Sequence, residues 1–260
     1  FYPSDFEEAT ILIVDGLGSG QQTHSIFKGS IKNGIECISE QKGTGIGTLY
    51  TLVTRALGFK AGEEGKTMGL APYGKSFSEI DSQLPSFKGE FNGLITDYSE
   101  QIQRNPDPQL RVKVRKCDNP EEIYEPYFSR MAYKLQEETE RCLLHLVREA
   151  IKLTGVKNVC LAGGVALNCV SNNLIQQLNS VENLFVQPAS GDTGLPLGLA
   201  LHGASSLSDN WEKIIGSKEV IKKLQTPYSN DKNPLGSQVD NLMNGILQKH
   251  NIPKQKYVPE

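Results

Sequence analysis

Two aspartates stand where short apolar runs break into glycine. Asp15 follows Ile11-Leu12-Ile13-Val14 and opens the turn Asp15-Gly16-Leu17-Gly18-Ser19-Gly20, and Asp192 sits within Ser190-Gly191-Asp192-Thr193-Gly194. Carboxylate oxygens are hard ligands, so two of them at two strand ends facing one cleft can hold one divalent cation, with Mg, Mn and Fe(II) equally suited. The same residues have an architectural reading that needs no metal, with Asp15 making an Asx-turn and Asp192 capping a helix. Spacing alone leans to the architectural account. A third glycine turn, Gly163-Gly164, follows the apolar run Val156 to Ala162. Glycine lets backbone N–H groups approach a phosphate or sugar closely, and a helix starting after Gly163-Gly164 adds partial positive charge. One such turn is ordinary chain reversal; three at the carboxyl ends of strands in one sheet point to a nucleotide cleft.

The elements that must position these turns follow from periodicity. Ile11 to Val14, His24 to Phe27 and Ile35 to Ile38 are strands at hairpin spacing, an antiparallel meander. From Gly47 to Leu57, Leu49, Leu52, Val53, Ala56 and Leu57 repeat at helical spacing before Gly58. Residues 59–75 are rich in glycine and read as an ordered loop carrying Lys66. The stretch 76–118 lacks a period and reads as a rim insertion, with short strands at Leu94-Ile95 and Val112 to Val114. Asn119-Pro120-Glu121-Glu122 has the form of a capping box opening a long amphipathic helix, kinked at Pro126 and stopped at Gly155. Strand Val156 to Ala162, helix Ala166 to Leu178, strand Asn183 to Val186 and helix Leu195 to Ala204 complete an α/β order, a meander continued by β-α-β units into a mixed sheet with helices on both faces. Residues 1–205 form one domain in this reading; 206–260 is a polar linker or cap with short helical stretches near 217–224 and 236–249.

Composition limits the function classes. With 38% hydrophobic and 22% charged residues over 260 positions, the chain is an ordinary globular protein, neither fibrous nor disordered. A formal net charge of -3 gives no cationic field for nucleic acid or an anionic membrane. No apolar run reaches the roughly 20 residues of a membrane span, and no signal segment opens the sequence, so a cytoplasmic location is expected. The five cysteines are widely spaced, without a CxxC pair, and are expected to be reduced and mostly buried. The opening Phe1-Tyr2-Pro3, without Met, suggests an excised piece of a longer protein.

Phe1-Tyr2-Pro3-Ser4, Val14-Asp15-Gly16, GEEGKTMGLAPYGK at 62–75, GGVALNCVSNN at 163–173 and PASGDTGLPLGLA at 188–200 occur in that order. Together they resemble the O-carbamoyltransferase family of the nodulation, cephamycin and tobramycin type. The resemblance implies a ribonuclease-H-like lobe of an actin-like ATPase fold, the second lobe, related to the threonylcarbamoyladenosine-modification proteins. It implies ATP or carbamoyl adenylate as ligand, a metal (iron, with Mg or Mn as alternatives), and transfer of the carbamoyl group to an acceptor hydroxyl of a small molecule. By resemblance Asp15 and Asp192 are metal ligands, Gly163, Gly164 and Asn168 hold adenosine, Gly16, Gly18 and Gly191 belong to the nucleotide turns, and Lys66 lies near the cleft. The family's histidine-rich metal motif and catalytic histidine would precede Phe1, so no catalytic residue is assigned, and His24, His145, His202 and His250 have no partner at ligand spacing to replace them. Ser19-Gly20 departs from the acidic or bulky residue the family commonly carries there. The domain forming carbamoyl adenylate from carbamoyl phosphate and ATP would follow the tail. The alternative is a non-catalytic nucleotide-binding module of the same actin-like fold; a third reading, a purely structural α/β interaction domain, leaves the turns and aspartates as architecture.

Overall fold

The computed structural model describes residues 1–207; the expected helical stretches near 217–224 and 236–249 lie outside the described residues. Strands β1 (Glu8–Val14), β2 (Gln22–Ser30) and β3 (Gly34–Lys42) form the meander. Helices α1 (Ile46–Ala56) and α2 (Glu64–Leu70) follow. The insertion carries two small hairpins, β4 (Glu90–Asn92) with β5 (Ile95–Asp97) and β6 (Ile102–Arg104) with β7 (Pro108–Leu110). Then come α3 (Pro126–Thr154), β8 (Asn158–Ala162), α4 (Cys169–Gln176), β9 (Asn183–Val186) and α5 (Leu195–Leu207).

The result is an α/β fold around a mixed five-stranded sheet of order β3-β2-β1-β8-β9. β1 runs antiparallel to β2 and parallel to β8, so its two edges serve the meander and the crossover units respectively. Alternation along β1 divides the two cores, as the period of a strand requires. Leu12 and Val14 join α1 and α3 in the main cluster, with Leu49, Val53, Met131, Leu135 and Leu146 all fully buried. Each such side chain contributes about 1.5 to 3 kcal/mol on leaving water. Ala9 and Ile11 point the other way and pack with Cys160, Phe1, Phe6, Phe27 and Phe185. On that side α5 meets the chain start, where Ser205 Oγ donates to the Tyr2 hydroxyl at 2.9 Å and His202 lies against the Tyr2 ring. The far end of α3 is tied to the sheet by Thr10, which shares a hydrogen bond with Thr154 and donates to the Val156 carbonyl.

Several boundaries differ from those expected, each for a tertiary or local steric reason. The glycine-rich 59–75 stretch is not a loop: it contains α2 and a 3-10 turn, Ala71–Gly74. Gly65 and Gly69 cost it about 1 kcal/mol each, and packing of Met68 and Leu70 on the core with a buried Thr54–Thr67 hydroxyl pair offsets this. The Asn119 box opens only a 3-10 turn, Pro120–Tyr124, and α3 begins at Pro126 rather than being kinked there. Glu125 is extended, as a residue before proline prefers, so the helix cannot run through it. Gly155 stops α3 in the left-handed conformation, as its position suggested. Val112 to Val114 is not a strand; the hairpin partner is Pro108–Leu110. The helix expected from Ala166 is a 3-10 turn, Gly164–Leu167, followed by α4.

The 76–118 insertion is fastened to α3. Tyr98, Phe87 and Ile102 are buried in the main core. Glu138 of α3, also buried, accepts from the Tyr98 hydroxyl (2.9 Å) and the Gly89 N–H (2.9 Å) and pairs with Arg141 (2.7 Å). Arg130 binds Asp81 through two nitrogens and the carbonyls of Gly74 and Lys75 through a third. Among the described residues no helix is long and apolar enough to cross a membrane.

Candidate functional site

Three glycine turns meet at the carboxyl ends of β1 and β8. The Gly163 N–H donates to the Ser190 carbonyl at 2.8 Å, joining the β8 end to the segment that enters Asp192. Gly163 is left-handed at φ 87°, and a Cβ there would lie 2.2 Å from the Val14 carbonyl oxygen, so only glycine lets the β8 end approach β1 this closely. A Cβ on Gly164 would stand 3.1 Å from the Asp15 carboxylate, and one on Gly191 3.8 Å from Gly164 Cα. The start of α1 closes the remaining side. Gly47 abuts the Asp15–Gly16 backbone, where a Cβ would come within 2.6 Å, and Thr48 donates to the Gly16 carbonyl.

These turns wall a cavity of about 520 Å³. Asp15, Gly16, Gly164, Asn168 and Asp192 line it from the sheet side. Tyr50 and Thr51 of α1 with Glu64 and Met68 of α2 line the other. Gly163 and Gly191 adjoin these residues but do not line the cavity. Gly18 lies in the β1–β2 turn, where its N–H donates to the Gln22 carbonyl at 2.8 Å. Lys66 is exposed, pairs with Glu63 at 2.7 Å and lies over the Phe59 ring; neither Gly18 nor Lys66 lines the cavity.

Neither aspartate does the architectural work open to it. Asp15 Oδ1 accepts from the N–H of the very next residue, Gly16, at 2.6 Å, which is not the i to i+2 bond of an Asx-turn. Asp192 begins the 3-10 turn Asp192–Gly194, but its cap residue is Gly191 and no side-chain cap bond forms. Among the described residues the Asp192 carboxylate has neither hydrogen-bond nor ion-pair partner. Two carboxylates on one cavity wall suit a hard cation as part of a ligand set. Among the described residues no group of three His, Cys, Asp or Glu side chains comes together to hold a metal, so these two would need further ligands from water, a bound anion or elsewhere.

Sequence reasoning placed the 62–75 segment near the cleft through Lys66 but did not single out Tyr50, Thr51, Glu64 or Met68, which form the opposite wall. Thr51 donates to Glu64 at 2.8 Å, linking α1 to a helix that the glycine content had disguised. The Tyr50 hydroxyl is pushed well above the usual phenol range, first by burial and then by the nearby carboxylates of Glu64 and Glu140, so it remains a neutral donor. A polar tyrosine within the apolar stripe of α1 was the available signal.

The family model for the carbamoyltransferase N-terminus matches residues 1–201. The chain belongs to the carbamoyltransferase N-terminal family. Among relatives, the nodulation protein NolNO of Sinorhizobium fredii is 31% identical over 233 residues, 86% of this chain and 33% of its own length. The nodulation protein NolO of Bradyrhizobium diazoefficiens is 32% identical over 210 residues, 80% of this chain and 37% of its own. An uncharacterized protein of Synechocystis is 30% identical over 230 residues, 86% and 36% respectively. The chain thus spans about a third of the length of these curated relatives.

Proposed function

We propose that this chain supplies one half of a carbamoyl-transfer cleft, binding ATP or carbamoyl adenylate in the 520 Å³ cavity with a divalent metal at Asp15 and Asp192. The observation that carries this reading is the pair of carboxylates on the cavity wall of a carbamoyltransferase-family chain, Asp15 without an Asx-turn bond and Asp192 without a cap bond. The sheet order, with an antiparallel β3-β2-β1 unit and parallel β8 and β9, supports a ribonuclease-H-like lobe of an actin-like ATPase domain. Ligand binding at the carboxyl ends of such strands is the general rule for open α/β sheets.

In this reading Asp15 and Asp192 hold the ion, iron or alternatively Mg or Mn, which when bound would act as a Lewis acid on a carbamoyl or phosphate oxygen. Glycine at 16 and 164 leaves room for a ligand to touch main chain. None of His24, His145 and His202 lines the cavity, so the base for the acceptor hydroxyl, and the carbamoyl-adenylate-forming activity, are assigned to parts of a longer protein. The chain alone is then a binding half and does not turn over.

The test is Mn(II) titration followed by electron paramagnetic resonance, with and without ATP. Asp15→Asn and Asp192→Asn should each weaken Mn(II) at least tenfold, and Asp192→Asn should leave the melting temperature unchanged because its carboxylate has no structural partner. Unaltered Mn(II) affinity in both variants would refute the metal assignment. Carbamoyl adenylate and a panel of hydroxyl acceptors then separate enzyme from module: nucleotide and metal bound by the full-length protein with no carbamoyl transferred would favour the non-catalytic alternative.

A further inference from the structure

Helix α5 carries no Asp, Glu, Lys or Arg along its 13 residues, LPLGLALHGASSL. A helix without a polar face ordinarily has neighbours all round. Among the described residues α5 has them on one side only. Leu197 and Leu201 are buried and Ser205 reaches the Tyr2 hydroxyl, which settles the inner face. At about 100° per residue, Leu195, Pro196, Leu199, His202 and Ser206 fall together on the opposite side, and all five are exposed. Leu195 is 59% and Leu199 70% exposed, and a Cβ added at Gly198 or Gly203 would meet nothing within 4 Å. A helix lying on a lipid surface would carry Lys or Arg beside its apolar face, and α5 has neither. The outer face of α5 therefore calls for a protein cover.

The chain runs on from α5 into residues 208–260. In that sequence Val239, Leu242, Met243, Ile246 and Leu247 recur three and four apart, with polar residues such as Asp240, Asn241 and Gln248 between them. One apolar row with a polar remainder has one face to bury, which is what α5 lacks. The lengths match as well. Read as a helix, 236–249 is about 20 Å long, as is α5, whereas 217–224 reaches only about 12 Å and is too short to follow α5 from Leu195 to Ser206. Residues 208–238 extend over as much as roughly 100 Å, ample to bring the row back along α5. The covalent tie also decides between occupants, since a tethered segment meets its site at an effective concentration of about millimolar, which a separate copy at micromolar concentration does not approach.

We propose that the apolar row at 239–247 of this same chain docks on the outer face of α5, over Leu195 and Leu199. Leu195 directly follows the Asp192–Gly194 turn, so the docked segment also braces the turn that carries Asp192. The contact is independent of what the cavity binds.

The experiment is hydrogen exchange of the full-length protein, read by mass spectrometry over 195–207, for Leu242→Asp and Ile246→Asp in the row and for Gln248→Asp on its polar side as control. Leu242→Asp and Ile246→Asp should each speed exchange there at least about tenfold, the order expected for uncovering a buried leucine, and the control should leave it unchanged. Unaltered exchange in 8–14 and 126–154 establishes that the variants are folded. A second measurement joins Leu199→Cys to Met243→Cys with a short bismaleimide, the exposed Cys37 and Cys169 being replaced by Ser. A cross-link within one chain is expected. Should a row variant fail the folding check, the cross-link decides alone. Exchange in 195–207 that ignores both row variants, or absence of the cross-link within one chain, would overturn the proposal; an α5 that is protected all the same is then covered by another part of the longer protein. A cross-link between chains, or protection that rises with protein concentration, would overturn it in favour of a second copy.

Discussion

Gly163 and Gly164 are neighbours in one turn, yet the structure gives them different jobs. Gly163 combines φ 87° with ψ 164°, a region that side chains strongly resist at a cost of about 1 to 3 kcal/mol. A methyl group there would also stand 2.2 Å from the Val14 oxygen and 2.7 Å from its carbonyl carbon. Relieving that contact means moving one strand end by about 1 Å, which in a packed interior costs a further 1 to 3 kcal/mol or so. Gly163→Ala should therefore destabilise by about 2 to 6 kcal/mol, a large share of the roughly 5 to 15 kcal/mol that holds a domain together. At Gly164 the nearest atom is the tip of the Asp15 side chain at 3.1 Å, which can swing aside. Gly164→Ala should cost under about 1 kcal/mol in stability but displace the carboxylate, lowering Mn(II) and ATP affinity. Gly69→Ala, on α2 with nothing within 4 Å of a Cβ, is the control and should stabilise by up to about 1 kcal/mol. Urea unfolding followed by circular dichroism measures all three. A Gly163→Ala midpoint within about 0.5 kcal/mol of wild type, at unchanged slope, would refute the claim that β8 depends on this approach to β1.

Further outcomes follow from buried polar groups. His24 is buried with Nε2 unpartnered, and its pKa is lowered from 6.5 to about 4, chiefly by burial. Between those values the unfolded chain binds the proton and the folded chain does not, so stability is complete above pH 6.5 and falls as pH drops toward 4. The loss should reach about 2 kcal/mol by about pH 5, visible in urea melts and flattened in His24→Leu. Glu138→Ala should cost about 3 to 5 kcal/mol, because it leaves the buried Tyr98 hydroxyl and the Gly89 N–H without their acceptor, while Arg141 keeps the Gly89 carbonyl, and hydrogen exchange should accelerate across 86–104. Cys37 and Cys169 are exposed and should react quickly with a thiol reagent in the native protein; Cys142, pushed up to about 12 by burial, and Cys160, also raised by burial, should react only on unfolding.

What the sequence determined by itself was everything written in local period and local backbone chemistry. The meander is legible because β-branched runs alternate with glycine turns at hairpin spacing, and α3 because its apolar residues recur over many turns before Gly155. The aspartates and glycines of the site were legible because they interrupt apolar strands, where turn chemistry has few alternatives. Tertiary structure decided the rest. Glycines disguised α2, since nothing local reveals that Thr67 will be buried against Thr54 and repay a poor helix. Glu138 reads as a solvated charge on an amphipathic helix until an insertion some forty residues upstream covers it with Tyr98 and Gly89. Gln136 and Asn168 lie 32 positions apart, and their pairing depends on the angle at which α3 crosses α4. Hydrogen-bond partners of that kind are set by packing distance and direction, which no period in a sequence encodes. The cavity's sheet-side wall could therefore be foreseen from residues 15, 16, 164, 168 and 192, while of the opposite wall only the 62–75 segment was placed near the cleft, as a loop rather than a helix.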